Sequence, residues 1–196
     1  VRWVLGDVAN QRWAEVDPVM GSATLLDAMP QPEGWSNSTL RPFATTHTVP
    51  SCGWMIQQHA MAGKFDRQRA DDLNLSTKER AMLARGEDVT TADGTTLESA
   101  WFRGGERAPV SVLVSGDTAA MPPAWTDEVR PTLLIHEATF LDEQQDKADE
   151  HLHSTATGAV ASALAVGAES LALTHYSNRI KSTEEPVSEA KSAGEA

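Results

Sequence analysis

The sequence predicts an α/β fold with a parallel β-sheet, and three apolar runs separated by one Ala-rich run indicate this. Short β-branched runs at 110–114, 131–137 and 171–175 end at polar residues, a pattern typical of buried strands. The Ala-rich run 155–168 lies between the second and third strands and predicts a helix. Strand, helix and strand in succession form a right-handed βαβ unit with two parallel strands.

Side chains suited to metal or acid–base chemistry follow each of these strands. Asp117 follows the first strand, His136 and Glu137 end the second, and His175 ends the third. The carboxyl ends of parallel strands lie at one edge of a sheet, where ligands of such sheets bind. We therefore expect these four side chains at one edge of the sheet.

Composition and charge narrow the classes of partner. The 196 residues, 40% hydrophobic and 22% charged, suffice for a sizeable core. No apolar run approaches the ~20 residues that cross a membrane, so we expect no membrane partner. The formal charge of -12 argues against non-specific binding of nucleic acid by the whole surface. The single Cys52 fits a reducing, intracellular compartment, and we expect the cytoplasm, with the nucleus or an organelle as the alternatives.

The segment before the parallel strands predicts two kinds of structure. Residues 1–30 have a loosely helical spacing of apolar side chains, which predicts one or two short helices. Residues 41–56 predict two strands joined by a turn at Pro50–Gly53, which places His47 at a strand end. On its own, His47 is more often a surface or hydrogen-bonded histidine than a metal ligand.

Residues 60–105 differ in texture from the rest of the chain. Two short helices are expected at 66–73 and 76–83, the second with a capping box of Ser76 and Glu79, and Asp93-Gly94 predicts a hairpin. The apolar residues are too few to predict a separate core, so the segment is interpreted as a projecting arm. A plain surface insertion is the alternative interpretation.

Positive charge is concentrated in this arm. The window 64–85 holds six Lys and Arg against four Asp and Glu, a surplus of two positive charges in an acidic chain.

The last segment of the chain, residues 181–196, is rich in Glu, Ser and Ala, which predicts a disordered tail.

The polar residues after the strands are of the types that bind zinc. Neutral imidazoles and carboxylates are zinc ligands, and His47, Asp117 and His175 are the candidates. Asp117 could bridge two ions, and two zinc ions about 3.5–4 Å apart polarise a phosphodiester. His153 or His136 could then protonate the leaving oxygen. Alternatively, Asp117 is an ordinary turn residue.

Several motifs in one order resemble ribonuclease Z over roughly 41–180. The chemistry-bearing motifs are Gly116-Asp117-Thr118, His136-Glu137-Ala138-Thr139-Phe140, His153-Ser154-Thr155-Ala156 and Leu173-Thr174-His175-Tyr176-Ser177-Asn178-Arg179. Upstream, 47–54 is similar to the family's His–Gly–aromatic segment, and 63–66 and 86–90 to its substrate-binding arm. The resemblance implies a metallo-β-lactamase-like fold, an αββα sandwich, incomplete at the amino-terminal side and with a protruding arm.

The resemblance also implies a function and a set of roles. The family removes the 3′ trailer from precursor tRNA with two zinc ions. By matching position, His47 would bind one zinc, His175 the other, and Asp117 would bridge them. His153 would be the general acid, and Glu137 would assist it.

Substrate contacts and assembly follow from the same resemblance. Arg179 would contact a phosphate near the cleavage point, and Lys64, Arg67 and Arg69 in the arm would hold precursor tRNA. The family forms homodimers in which one subunit's arm serves the other's site. Four domains are expected. Residues 1–59 are the remainder of the first sheet layer with a metal-ligand hairpin, and 60–107 are the arm. Residues 108–180 are the carboxyl-terminal half of the fold, and 181–196 are the tail.

The family's His-x-His-x-Asp-His signature is absent from the sequence. Each zinc would therefore keep two of the protein ligands named above, whereas zinc sites take at least three. We expect the chain alone to be inactive and to bind zinc weakly. A hydrolase of small substrates with the same fold, or a non-catalytic degenerate half, are the alternatives.

Overall fold

The computed structural model describes residues 2–105, 107–127 and 129–195. The strands in this part of the chain are β1 Trp3–Asp7, β2 Arg12–Val16, β3 Ala23–Leu26, β4 Ser38–Ala44, β5 Cys52–Gln58, β6 Val89–Thr90, β7 Thr96–Leu97, β8 Ser111–Val114, β9 Leu133–Glu137 and β10 Ser170–Thr174. The α-helices are α1 Arg67–Asp72, α2 Thr77–Arg85, α3 Gln145–His151, α4 Ala156–Ala165 and α5 Glu184–Gly194. None of the described helices is both long and apolar enough to cross a bilayer.

A five-stranded mixed sheet in the order β10-β9-β8-β5-β4 carries the predicted parallel strands. β8, β9 and β10 run parallel, and β4 and β5 add an antiparallel edge. The unit β9-α4-β10 is the predicted βαβ unit. The predicted strands at 110–114, 131–137 and 171–175 and the predicted helix are therefore confirmed.

The two faces of this sheet differ in burial. On one face Met55, Leu113 and Leu134 are buried against α4 and the residues that follow it. On the other face Trp54 pairs in register with Val114, and Ile56 with Val112. Trp54, Ile56 and Val114 are 38%, 42% and 39% exposed. One face is thus a packed core, whereas the other presents apolar side chains to solvent.

Residues 1–30 form strands, so the prediction of short helices is wrong. β1, β2 and β3 pair antiparallel in a three-stranded sheet. Asp7 accepts hydrogen bonds from Asn10 at the first turn, and Asp17 accepts from the Val19 and Met20 amides at the second. These Asp-led turns interrupt the apolar spacing that the helix prediction used.

The segment predicted as a disordered tail contains α5, so that prediction is wrong. Pro186 lies in the first turn and is buried, and Glu189, Ala190 and Ala193 on the same side are partly buried. This spacing of three and four residues defines a helix face. Glu189 accepts a hydrogen bond from the Asp142 amide at 3.2 Å, which ties the helix to the domain.

Residues 59–109 form a compact unit of their own, whereas the rest of the described chain forms the other. Its two helices, its hairpin and the capping box of Ser76 and Glu79 are as predicted. The expectation that it lacks a core is wrong, because each short element contributes one or two apolar side chains. The buried cluster comprises Ala70, Leu75, Leu83, Val89, Leu97 and Phe102.

Candidate metal centre

The candidate site lies at the carboxyl ends of β8, β9 and β10. A left-handed glycine turns the chain between β8 and Asp117, with Gly116 at φ 63°. A Cβ at Gly116 would lie 3.2 Å from the Cys52 carbonyl oxygen, so the turn also needs glycine for space. This turn places Asp117 at the rim of the sheet.

The loop between β4 and β5 brings His47 to the same rim. The Thr46 amide donates to Thr118 Oγ1 at 3.0 Å, and the Ala119 amide donates to the Thr46 carbonyl at 2.8 Å. These bonds hold the His47 loop against the Asp117 turn. The Nδ1 of His47 lies 3.1 Å from the Leu152 carbonyl, which fixes the ring.

Left-handed residues also set the positions of the other two histidines. Leu152 ends α3 at φ 53°, and the amide of the following His153 donates to the Ala148 carbonyl at 2.9 Å. His175 itself has φ 55°, directly after β10. Such a backbone is uncommon for residues other than glycine, and it is a frequent feature of functional sites.

These turns bring the predicted ligands together. Candidate ligand atoms of His47, Asp117 and His153 lie within 4.8 Å of one another. The Nε2 of His175 is 3.5 Å from Asp117 Oδ1. His47, Asp117 and His175, which come from separate parts of the sequence, thus converge at one rim.

Glu137 lies beneath this rim, fully buried and saturated with hydrogen bonds. Its Oε1 accepts from the Thr118 amide and from His153 Nδ1, at 2.8 and 2.7 Å. Its Oε2 accepts from the Thr139 amide, the Thr139 hydroxyl and the Ser154 amide, at 3.1, 2.6 and 3.1 Å. The buried carboxylate therefore ties together the loops that carry Asp117 and His153.

The hydrogen bonds of His47 and His153 fix which ring nitrogen carries a proton. The Leu152 carbonyl and the Glu137 carboxylate accept, so His47 and His153 donate through Nδ1. The Nδ1 of His175 lies 2.9 Å from the Thr139 hydroxyl. In a neutral imidazole whose Nδ1 donates, Nε2 carries the free lone pair, which is the state that binds a metal.

His136 is the predicted residue that the structure separates from this rim, so its proposed role as an acid is wrong. It is fully buried, with Nδ1 2.7 Å from the Glu137 carbonyl and the ring packed edge-on against Trp125. Burial lowers the pKa of the His136 imidazole, because the charged form loses its hydration. The side chain belongs to the core.

The predicted substrate-binding residues are exposed. Arg179 lies in the loop after β10, where its amide donates to Ser177 Oγ at 3.3 Å. Lys64, Arg67 and Arg69 are exposed in the unit 59–109, and the Arg69 guanidinium lies 5.6 Å from the centre of the Phe102 ring.

Thr139 is the site residue for which the sequence predicts no role. Its hydroxyl contacts Glu137, His153 and His175. The signal in the sequence is its place in the run His136–Phe140, two residues after Glu137.

The residues at the rim fit a divalent metal. The imidazoles of His47 and His175 and the partly exposed carboxylate of Asp117 are donors of the kind that zinc prefers. Glu137 also lies close to His153 and His175, but each of its oxygens already accepts from protein donors. We therefore assign Glu137 to the support of the ligands and Asp117 to the candidate ligands.

Comparison with known proteins finds related sequences. The chain is 38% identical over 142 residues to ribonuclease Z of a Synechococcus species. The matched segment is 72% of this chain and 44% of that protein. It is 35% identical over 141 residues to ribonuclease Z of Halobacterium salinarum, covering 71% and 46%. The chain thus spans about half the length of these curated relatives or less. No family model matches.

A solved structure supports the fold. The metallo-β-lactamase fold protein YhfI from Bacillus subtilis superposes with a TM-score of 0.50 at 18% identity, over 86% of this chain and 48% of that protein. Similarity at this level of identity is evidence for the fold alone. The chain therefore has part of a metallo-β-lactamase fold, and the predicted resemblance to ribonuclease Z is confirmed over about seven tenths of its length.

Proposed function

We propose that the chain is the carboxyl-terminal part of a zinc-dependent endoribonuclease that removes the 3′ trailer from precursor tRNA. The observation that supports this most directly is the convergence of His47, Asp117 and His175 at one rim, with His153 beside them. The sequence relatives named ribonuclease Z supply the reaction class.

His47 and His175 would hold one zinc ion each, and Asp117 would bridge the two. Asp117 suits this role because its carboxylate is exposed at the rim and lies close to His175 Nε2. Bound zinc would polarise the phosphodiester and lower the pKa of a bound water.

His153 would act as the general acid for the leaving oxygen. Its Nδ1 is held by the buried Glu137 carboxylate, so the ring is oriented and Nε2 is the atom that takes and gives a proton. Glu137 also stabilises the positive charge on the ring when both nitrogens carry protons. Glu137 is thus a positioning residue, and His153 is the catalytic residue.

Arg179 and the arm would bind the RNA. Arg179 lies in the loop after β10, which begins at His175, so its guanidinium could reach a phosphate near the reacting bond. Lys64, Arg67 and Arg69 would contact the tRNA backbone, because their exposed side chains carry the local positive charge. Homodimerisation, in which the arm of one subunit serves its partner, belongs to the same proposal.

The open face of the five-stranded sheet supports the proposal that the chain is a portion of the enzyme. Trp54, Ile56 and Val114 form an apolar surface that a second sheet layer would cover in an αββα sandwich. The relatives are more than twice as long as the matched segment. We expect the chain alone to bind zinc weakly and to leave precursor tRNA intact.

The test joins the chain to the preceding portion of the Synechococcus relative and assays the fusion. With zinc present, the fusion should release the 3′ trailer from a precursor tRNA, and the 196-residue chain alone should not. Asp117→Asn and His153→Asn should each lower the cleavage rate by about 100-fold or more, and His151→Asn is the matched control. His151 is exposed two residues away.

A second substrate separates this function from the alternatives. Hydrolysis of bis(p-nitrophenyl) phosphate without cleavage of precursor tRNA, unchanged when 60–105 is replaced by a short linker, would indicate a small-substrate hydrolase. No activity on either substrate from a folded, zinc-loaded fusion would indicate a non-catalytic half. Cleavage or tight binding of two zinc ions by the chain alone would contradict the expectation that it is incomplete.

A further inference from the structure

We infer that Thr139 is a positioning residue that fixes the ring proton of His175 and thereby presents Nε2 to the metal. The inference rests on the proposed function, since it assumes that His175 is a metal ligand, and it adds a residue that sets the state of that ligand. It is carried by the four contacts of one hydroxyl group.

The Thr139 hydroxyl has one proton and several neighbours. Its Oγ1 lies 2.6 Å from Glu137 Oε2, 2.9 Å from His175 Nδ1, 3.2 Å from the His175 carbonyl and 3.3 Å from His153 Nδ1. The carboxylate is the nearest neighbour and can only accept, so the hydroxyl donates its proton there. The hydroxyl lone pairs then face His175, and Nδ1 must be the donor of that bond.

This direction of hydrogen bonding decides the state of the other ring nitrogen. A neutral imidazole has one proton, so a proton on Nδ1 leaves a lone pair on Nε2. The Nε2 of His175 is 3.5 Å from Asp117 Oδ1. Two lone-pair groups that face each other at this distance leave a place for a cation and offer each other no hydrogen bond.

The opposite tautomer would close the site. A proton on Nε2 would let His175 donate to Asp117, which would occupy both proposed ligands with each other. The His175 side chain is 51% exposed, so packing alone does not choose between the two tautomers. The Thr139 hydroxyl is the group that favours the tautomer with the proton on Nδ1.

Thr139 is itself held in place from both sides. Its amide donates to Glu137 Oε2 at 3.1 Å, and its carbonyl accepts from the Ser177 amide at 3.2 Å. Glu137 therefore orients His153 directly through Oε1 and His175 indirectly through the Thr139 hydroxyl. One buried carboxylate would set the proposed acid and a proposed ligand together.

The test reads the tautomer of His175 in the metal-free chain. Two-bond ¹H–¹⁵N spectra of the ¹⁵N-histidine-labelled chain, at a pH where imidazoles are neutral, distinguish protonated from unprotonated ring nitrogens. The comparison uses wild type, Thr139→Val, which removes the hydroxyl at constant shape, and Thr139→Ser, which restores it. Thr157→Val is the matched control, because the Thr157 hydroxyl bonds the Asp142 carboxylate on the surface of α4.

We expect His175 to carry its proton on Nδ1 in wild type, Thr139→Ser and Thr157→Val, and to shift towards Nε2 in Thr139→Val. In a zinc titration followed by the same spectra, Thr139→Val should weaken the apparent affinity by about 10-fold or more, and Thr139→Ser should restore it. A Thr139→Val variant with the wild-type tautomer, or one that loses stability without a tautomer change, would overturn the inference.

The two proposals fail in different ways. The tautomer of His175 is read without metal or RNA, so it decides the role of Thr139 even if the fusion cleaves no precursor tRNA. A fusion that cleaves while Thr139→Val keeps the wild-type tautomer and zinc affinity would retain the function and reject the role of Thr139.

Discussion

Glu137 and Asp117 are two carboxylates of one site, and they differ in burial and in the number of their hydrogen bonds. Glu137 is fully buried and accepts five hydrogen bonds from protein donors. The side chain of Asp117 is 39% exposed and has an ion-pair contact to His175 at 3.5 Å. One carboxylate is satisfied by the protein, whereas the other is left available at the rim.

The difference shows how the fold divides its work. A buried charge is stable only when the protein supplies its partners, so Glu137 is held by hydrogen bonds and in turn holds the loops that donate them. A ligand must keep lone pairs for the metal, so Asp117 is positioned by its backbone turn at Gly116. Removal of the first should therefore damage the structure, and removal of the second should spare it.

Glu137→Gln should have the largest effect on stability. The amide loses the charge and turns an NH2 group towards protein donors, which should lower the free energy of unfolding by about 3 kcal/mol. Urea unfolding followed by circular dichroism measures this. Asp117→Asn is the matched control and should change stability by less than about 0.5 kcal/mol. Equal losses from both substitutions would remove the distinction between the two carboxylates.

Gly116→Ala should have the next largest effect, because it disturbs the turn that presents Asp117. Alanine is strained at φ 63°, and its Cβ would lie 3.2 Å from the Cys52 carbonyl oxygen. We expect a loss of about 2 kcal/mol in thermal or urea unfolding. Gly34→Ala tests the strain alone, since Gly34 has φ 81° with open space around it, and should cost about 1 kcal/mol. Equal costs at the two positions would show that the contact with Cys52 is unimportant.

The buried imidazole of His136, next to Glu137 in the sequence, should make the stability of the fold depend on pH. Its folded-state pKa lies below the ordinary value of 6.5, because burial disfavours the charged ring. As the pH falls below about 6.5, the imidazole takes up a proton in the unfolded chain before it does so in the folded chain. Protonation therefore favours the unfolded chain, and stability is lost as the pH falls. We expect His136→Asn to flatten the fall in stability between about pH 7 and pH 5 by about 1 kcal/mol.

The control for this measurement is His151→Asn, at an exposed histidine. It should leave the slope of stability against pH close to that of wild type. A His136→Asn variant with the wild-type slope would show that the buried imidazole does not contribute to acid sensitivity.

The sequence predicts the part of the fold in which neighbours along the chain decide the structure. The β-branched runs and the Ala-rich run specify β8, β9, α4 and β10, because short continuous apolar segments are typical of parallel strands. The helices at 67–72 and 77–85 follow from their capping residues. Motif resemblance, in turn, identified the residues that meet at the rim.

The predictions fail where weak local signals compete. In residues 1–30 the Asp-led turns at Asp7 and Asp17 override an apolar spacing that also fits a helix. In α5 the small residues Ala190 and Ala193 pack one helix face, although their hydrophobicity is low.

The candidate site shows the same division between local pattern and three-dimensional contact. The types of residue were readable, but the burial of His136 and the contacts of Thr139 were not. Alternation along β9 sends His136 to the core face, which depends on the register of the whole sheet. The position of the Thr139 hydroxyl depends on loops from β9, α3 and β10 that meet only in the folded chain.

The most direct test of the account is a zinc titration of the ¹⁵N-histidine-labelled chain, in wild type and in Asp117→Asn. We predict weak binding that shifts the ring resonances of His47 and His175 and leaves those of His136 and His151 unchanged. Asp117→Asn should abolish these shifts while the fold remains intact, because the rim then lacks its carboxylate. Shifts that persist in Asp117→Asn, or that appear first at His151, would contradict the assignment of the metal centre to this rim.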